Sequence, residues 1–231
     1  DLTYNGSAKT ATVTTAKTGV GTVTVTYFKG EAQVAETEDA GDYTVKISVA
    51  EGLNYNSSTD LTADNWKFTI AKADSACTAP TAITALTYTG EAQPLINAGT
   101  TADGTMQYSM DGTHYGTTIP TGENAGEYTV WYKVAGDSNH SDTTPASVGV
   151  TIAKAKVEIP AADPTQFTYS GEEQTYTLAA SGLYTIEGNV RKSAGTHTVT
   201  VTLKDAENYV WSDNTDAAKT FDFVIAKAPV T

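Results

Sequence analysis

Apolar and polar residues alternate with period two at three places along the chain. In the first, Tyr43, Val45, Ile47 and Val49 alternate with Thr44, Lys46 and Ser48. That is the pattern of a strand with one face in a core and the other in water. The run opens on Asp39-Ala40-Gly41-Asp42-Tyr43-Thr44-Val45. The same signature returns at Ala125-Gly126-Glu127-Tyr128-Thr129-Val130 and, with one change, at Ala194-Gly195-Thr196-His197-Thr198-Val199. Each copy is preceded by an aromatic-x-Gly turn: Tyr4-Asn5-Gly6, Tyr88-Thr89-Gly90 and Tyr169-Ser170-Gly171. Glycine there supplies the positive φ that a tight turn needs. Further strands are predicted at Thr22–Phe28 and Thr105–Met110. Each copy closes on an alternating run ending Ile-Ala-Lys-Ala, at Ile70–Ala73, Ile152–Ala155 and Ile225–Ala228.

This order of landmarks predicts an all-β chain of three tandem immunoglobulin-like β-sandwich domains, at residues 1–73, 74–155 and 156–231. A small-residue turn that feeds a Tyr into a strand is the arrangement of the tyrosine corner, in which the Tyr hydroxyl ties the strand back to the preceding loop. Tyr43 and Tyr128 are the expected corners, with His197 in the third slot, and Gly41, Gly126 and Gly195 are the turn residues before them. The joins are short and poor in Gly, with Asp74–Thr84 the longer linker. Three units joined end to end predict an extended rod spanning on the order of 110 Å at a strand rise of about 3.3 Å per residue.

Composition narrows the function. The 231 residues carry 14 basic and 27 acidic side chains, for a net charge of −13. Such a polyanion repels nucleic acid and anionic lipid. The second domain is the most one-sided, with 2 basic against 8 acidic residues. No apolar run is long enough to span a membrane. The single cysteine, Cys77, offers no internal disulfide and reads as a small hydrophobe in an inter-domain strand. The chain opens without Met, close to a repeat landmark, which reads as a piece of a longer protein.

Candidate chemistry is sparse. His114, His140 and His197 lie in unrelated settings, and no Gly-x-Ser-x-Gly accompanies them, so a hydrolytic nucleophile–base pair is not expected. The acidic loops Glu36-Thr37-Glu38-Asp39 and Asp213-Asn214-Thr215-Asp216 lack EF-hand spacing and read as solvated. No Cys/His spacing supports a transition-metal site, and no cofactor is expected. Trp131 is the oddity. On its strand Tyr128, Val130, Tyr132 and Val134 take the core phase, which puts Trp131 on the wet face, where the other copies have Lys46 and Thr200. It either packs under a neighbouring strand or loop or presents a stacking platform to a ligand, with His114 and Tyr115 in the nearby Asp111–Tyr115 turn as companions. Trp66 and Trp211 read as packing residues of the closing strands.

Several stretches of the second domain resemble the bacterial immunoglobulin-like modules called MBG domains. They are Leu86–Gln93, Gln107–Gly112, Ile119–Thr121, Asn124–Val134 and Gly136–His140. Looser matches lie at Asn208–Asp213 and Asp64–Ile70, and His197 departs from the pattern. The resemblance implies tandem modules in large secreted or wall-anchored bacterial proteins, without enzymatic activity. The expected function is therefore a non-catalytic stalk or spacer at the cell surface, as a monomeric segment that neither inserts into membrane nor binds nucleic acid. The alternative is an adhesin segment in which the second domain binds a glycan or a host matrix protein.

Overall fold

The computed structural model describes residues 2–230, and every regular element among them is a β-strand. The alternating runs become the central strands of their sheets. Gly41–Val49 buries Tyr43, Val45 and Ile47 and leaves Thr44 in water. Gly126–Gly136 buries Val130 and Val134, and Gly195–Leu203 buries Val199, Val201 and Leu203. These three we call the corner strands.

By the packing of their backbones, the residues group into two compact units. One comprises Asp1–Thr81, Asn97–Ile119 and Val130–Val148, the other Ala82–Ile96, Pro120–Thr129 and Gly149–Thr231. The repeat joins near residues 73 and 155 thus lie inside the units rather than between them.

In the first unit, corner strand Gly41–Val49 pairs antiparallel with Val23–Lys29, which carries Ala32–Val34 on its outer edge. Its other edge is shared by Ser58–Leu61 at one end and Lys67–Ile70 at the other. Tyr43, Val45, Ile47 and Ile70 form the buried side. Elsewhere in this unit Gly104–Ser109 pairs antiparallel with the later half of Gly126–Gly136, Tyr108 lying opposite Tyr132.

The second unit holds a four-stranded sheet in the order Phe167–Thr168, Lys219–Ala226, Gly195–Leu203 and Tyr184–Glu187. Its core gathers Val157, Tyr176, Leu178, Tyr184, Val199 and Trp211, among others. Trp211 is wholly buried and its indole N–H donates to the Ala217 carbonyl at 2.9 Å, so the polar tip of a large apolar body is satisfied.

The segment expected as a linker is paired instead. Ala73–Asp74 forms a parallel bridge with His140–Ser141, and Thr78 bridges Thr100. The reason is ordinary: an extended segment lying on a sheet keeps its backbone groups bonded only by joining it. Cys77 differs too. It sits between the bonded neighbours Ala76 and Thr78, and its side chain faces outward as an exposed thiol rather than a packed hydrophobe.

The glycines that open the corner strands share one conformation, with φ of 146°, 152° and 141° at Gly41, Gly126 and Gly195. At Gly126 and Gly195 a side chain is strained by backbone alone, since a Cβ would meet nothing within 4 Å at Gly126 and nothing closer than 3.8 Å at Gly195. We expect Gly195→Ala to destabilise the fold by about 1–3 kcal/mol. Gly149, in a strand with ordinary φ and open space at its Cβ, is the control. Gly149→Ala should change stability by no more than about 0.5 kcal/mol. Urea denaturation of both variants checks the pair.

Candidate functional site

All three corner slots close the same ring. The Tyr43 hydroxyl donates to the Asp39 carbonyl at 2.8 Å, and the Tyr128 hydroxyl donates to the Asn124 carbonyl at 2.7 Å. In the third copy His197 Nε2–H donates to the Ser193 carbonyl at 2.8 Å. Imidazole thus reaches the same carbonyl, four residues back, that a phenol reaches. Burial, and after it the Asp39 carboxylate, push the Tyr43 phenol up, so it stays a donor.

In the first two repeats the loop that the corner ties down is also held from outside, by the repeat that follows. Asn139 Oδ1 accepts the Ala40 N–H at 2.9 Å while its Nδ2 donates to Asp39 Oδ1 at 2.9 Å. Asn208 does the same one repeat on: its Oδ1 accepts the Ala125 N–H at 2.8 Å and its Nδ2 donates to Asn124 Oδ1 at 3.2 Å. The next residue stacks edge-on against the earlier repeat's turn aromatic. His140 meets Tyr4 at 5.2 Å, and Tyr209 meets Tyr88 at 5.3 Å.

Between these contacts the chain passes from one repeat to the next with no spacer. Ala71 bridges Thr3 of its own repeat, whereas Ala73, two residues later, donates its N–H to the Asn139 carbonyl of the next at 2.9 Å. Ala153 and Ala155 repeat the exchange, bonding back to Tyr88 and forward to Asn208. The lysine between them clamps the step. Lys72 Nζ donates to the Asp137 and His140 carbonyls at 2.8 and 3.2 Å, and Lys154 Nζ donates to the Ala206 carbonyl at 2.6 Å.

Sequence reasoning did not single out Asn139 or Asn208. A signal was there: an Asn followed by an aromatic ring stands eleven positions after each corner residue, at Asn54-Tyr55, Asn139-His140 and Asn208-Tyr209. Each joint loop is shaped by an aspartate. Asp205 Oδ1 accepts the backbone N–H groups of Glu207 and Asn208, and Asp137 Oδ1 those of Asn139 and His140. The Asn208 side-chain donor, followed by its backbone N–H, holds Asp205 below the usual carboxylate range. For Asp137 the largest cause is the Asn139 N–H.

The residues proposed as a ligand platform lie around one turn. Asp111 Oδ1 accepts the N–H groups of Thr113 and His114 and the Ser109 hydroxyl, and Asp111 Oδ2 meets His114 Nδ1 at 2.6 Å. These donors, with the His114 backbone N–H foremost, hold the Asp111 carboxyl far below its usual value. Trp131 lies on the tip of this turn: a Cβ on Gly112 would come within 3.4 Å of the indole, which is 36% exposed. Tyr115 lies under Lys133 Nζ at 5.3 Å, on the face that Trp131 shares. His114 is tied to Asp111 and its side chain points to solvent.

Of the acidic loops, Asp213 is paired with Lys219 Nζ at 2.6 Å. Lys219, then Thr215, pull its pKa down to about 2. Among the described residues no three His, Cys, Asp or Glu side chains gather as a metal site.

Residues 1–74 match the family described as the MBG domain, so the first repeat is similar to MBG modules. No curated protein matches the chain. Among solved structures, one similar chain is that of Sidekick-1 immunoglobulin domains 1-5, at 11% identity and a TM-score of 0.26, covering 90% of this chain. The chain spans about half of that one, 54% of its length.

Two outcomes follow from the joints. Asn208 is buried, so Asn208→Ala leaves the Ala125 N–H without its acceptor and should cost about 1–3 kcal/mol by thermal or urea unfolding. The pH dependence has a definite sign. A carboxyl whose pKa is lowered in the fold stabilises it fully above its ordinary value of 3.8 and loses that contribution as pH falls toward the folded value. Stability should therefore fall with acidification below about pH 4. The Asp205→Asn variant should show a shallower acid limb when melting is followed over that range.

Proposed function

We propose that this chain is a non-catalytic stalk segment of an extracellular bacterial surface protein. It would hold a working part of the parent protein at a distance from the wall. The observation that supports this reading best is the repetition of the joint. Two successive joins use the same Asn bracket, the same edge-on aromatic pair and the same lysine clamp, with no flexible residues between. A binding protein needs one good surface. A spacer needs every join to resist bending, and joins built alike serve that end. MBG domains occur in extracellular surface proteins and are in general not enzymes, which agrees with the reading for the matched repeat. The charge of −13 keeps such a segment soluble and apart from its neighbours.

A second reading, an adhesin segment that takes a glycan or a host matrix protein, rests on Trp131. Its indole is partly exposed, with Lys133 and Tyr115 on the same face. Against it, the indole already has a seat on Gly112, and Asp111 Oδ1 is taken by the Ser109 hydroxyl and by the N–H groups of Thr113 and His114, although the buried Tyr115 hydroxyl has no partner among the described residues.

Binding of the chain to an array of glycans and host matrix proteins, with Trp131→Ala beside it, separates the two. The stalk reading expects no specific signal from either protein. A signal from the parent chain that disappears in Trp131→Ala would replace it with the adhesin.

A further inference from the structure

Asn5-Gly6 is the one place in the chain where Asn is followed by Gly. It fills the aromatic-x-Gly turn in which the other repeats carry Thr89-Gly90 and Ser170-Gly171. Asn5, Thr89 and Ser170 are all exposed, so the three turns differ in chemistry rather than in setting. Only an amide side chain can be attacked by its own backbone and lose nitrogen. Asn5 also differs from the asparagines of the joints. Asn139 and Asn208 commit both amide atoms to the preceding repeat. Asn5 commits its oxygen alone: among the described residues its Nδ2 and the Gly6 N–H donate to nothing. Those two free nitrogens are the leaving group and the nucleophile of a cyclisation.

The oxygen between them is held by two donors. The Ser7 N–H donates to Asn5 Oδ1 at 3.2 Å, and Lys9 Nζ donates to the same atom. The Ser7 bond closes a ring of which the Gly6 nitrogen is a member, so the side-chain carbonyl is folded back over the peptide that attacks it. Lys9 is itself fixed. Its N–H donates to the Thr37 carbonyl at 3.0 Å and its carbonyl accepts the Thr37 hydroxyl, on a residue 1% exposed. An N–H and a cation on a carbonyl oxygen stabilise the negative charge that gathers there when the carbon is attacked. Gly6, at a φ of 70° with nothing within 4 Å of a Cβ, leaves the turn room to rearrange. Asp111-Gly112 is the contrast. The His114 N–H and its neighbours hold the Asp111 carboxyl far below its usual value, and a carboxylate resists attack by nitrogen.

We propose that Asn5-Gly6 is a self-modification site that converts Asn5 to aspartate or isoaspartate and so loosens the joint beside it. The Gly6 nitrogen bonds to Asn5 Cγ and gives up its proton. The side-chain nitrogen takes that proton and leaves as ammonia, closing a succinimide. Water then opens either carbonyl of the ring, with no oxidant or reductant required. Opening to isoaspartate routes the main chain through the former side chain, which adds a carbon between Tyr4 and Gly6 and dissolves the Ser7 bond. Tyr4 is the ring that meets His140 edge-on at 5.2 Å, and its N–H donates to the Ala71 carbonyl at 2.9 Å. The change therefore falls next to the aromatic contact of the first joint. The second joint has Thr89 beside Tyr88 and carries no such chemistry.

The whole chain, held at mildly alkaline pH, tests this. Mass spectrometry follows the exchange of amide for acid, and isoaspartyl methyltransferase counts the isoaspartate. A free peptide of residues 2–10 supplies the rate without the fold. The folded chain should react about fivefold faster than the peptide, and Lys9→Met, which keeps the apolar stem and removes the charge, should lose that advantage. Asn5→Thr, which places the residue of the second repeat in the turn, should not react there. NMR of the aged chain should show the Tyr4 and His140 ring resonances displaced, with those of aged Asn5→Thr unmoved. Asn5 is exposed, so the substitution leaves the fold intact, which circular dichroism checks. A folded chain that reacts no faster than the peptide overturns the proposal, as does a rate that Lys9→Met leaves unchanged. Isoaspartate that forms without displacing the two rings also overturns it, because the turn would then be uncoupled from the joint.

Discussion

The loop ahead of each corner strand is the constraint on which the rest depends. Its glycine turns the backbone through a φ near 145°, which a side chain would resist. Its carbonyl is taken from beneath by Tyr43, Tyr128 or His197. Once that ring is closed, the next N–H, on Ala40 or Ala125, is presented outward in a fixed place. A short amide side chain can meet it only because it does not move. The corner, a device for holding one strand in register, thus also prepares the docking point for the following repeat.

That coupling explains why the joins fall within the compact units. At Lys72 and Lys154 the chain leaves one sheet and joins another within two residues, and the backbone never runs free. Pairing in parallel to the Asn-aromatic loop satisfies the groups that a linker would leave to water. The aspartates that shape the joint loops give the arrangement a dependence on acidity that a purely apolar contact would not have. Aromatic edges and a lysine chain then cover the seam. Each contact is modest, and together they restrict the angle between neighbours more than any one could.

Much of this was legible before any coordinates. Period-two alternation placed the corner strands and their buried faces, because a half-buried strand has no other way to divide apolar from polar. His197 was legible as the occupant of a tyrosine slot, and the imidazole proved able to make the same bond. Other features were not. Asp74–Thr84 looked like a linker because its residues carry no strong alternation, although it pairs on both sides. Cys77 looked like a packing residue because the face of a short extended segment is decided by its partners. Trp131 was rightly set on the wet face, but only the neighbouring turn shows that its indole rests on Gly112.

What the sequence determined by itself was the periodic part: strands, turns, their order and their repetition. These depend on contacts between near neighbours, and each residue's chemistry speaks to them directly. What only the tertiary structure decided was the meaning of Asn139, Asn208, Lys72 and Lys154. Each is a polar residue in an exposed-looking loop, and nothing about a polar residue says what it will meet across a join. Their role arises because the folded corner of the preceding repeat holds an N–H and a carbonyl where these side chains reach. A partner that exists only after folding cannot be read from the chain that will meet it.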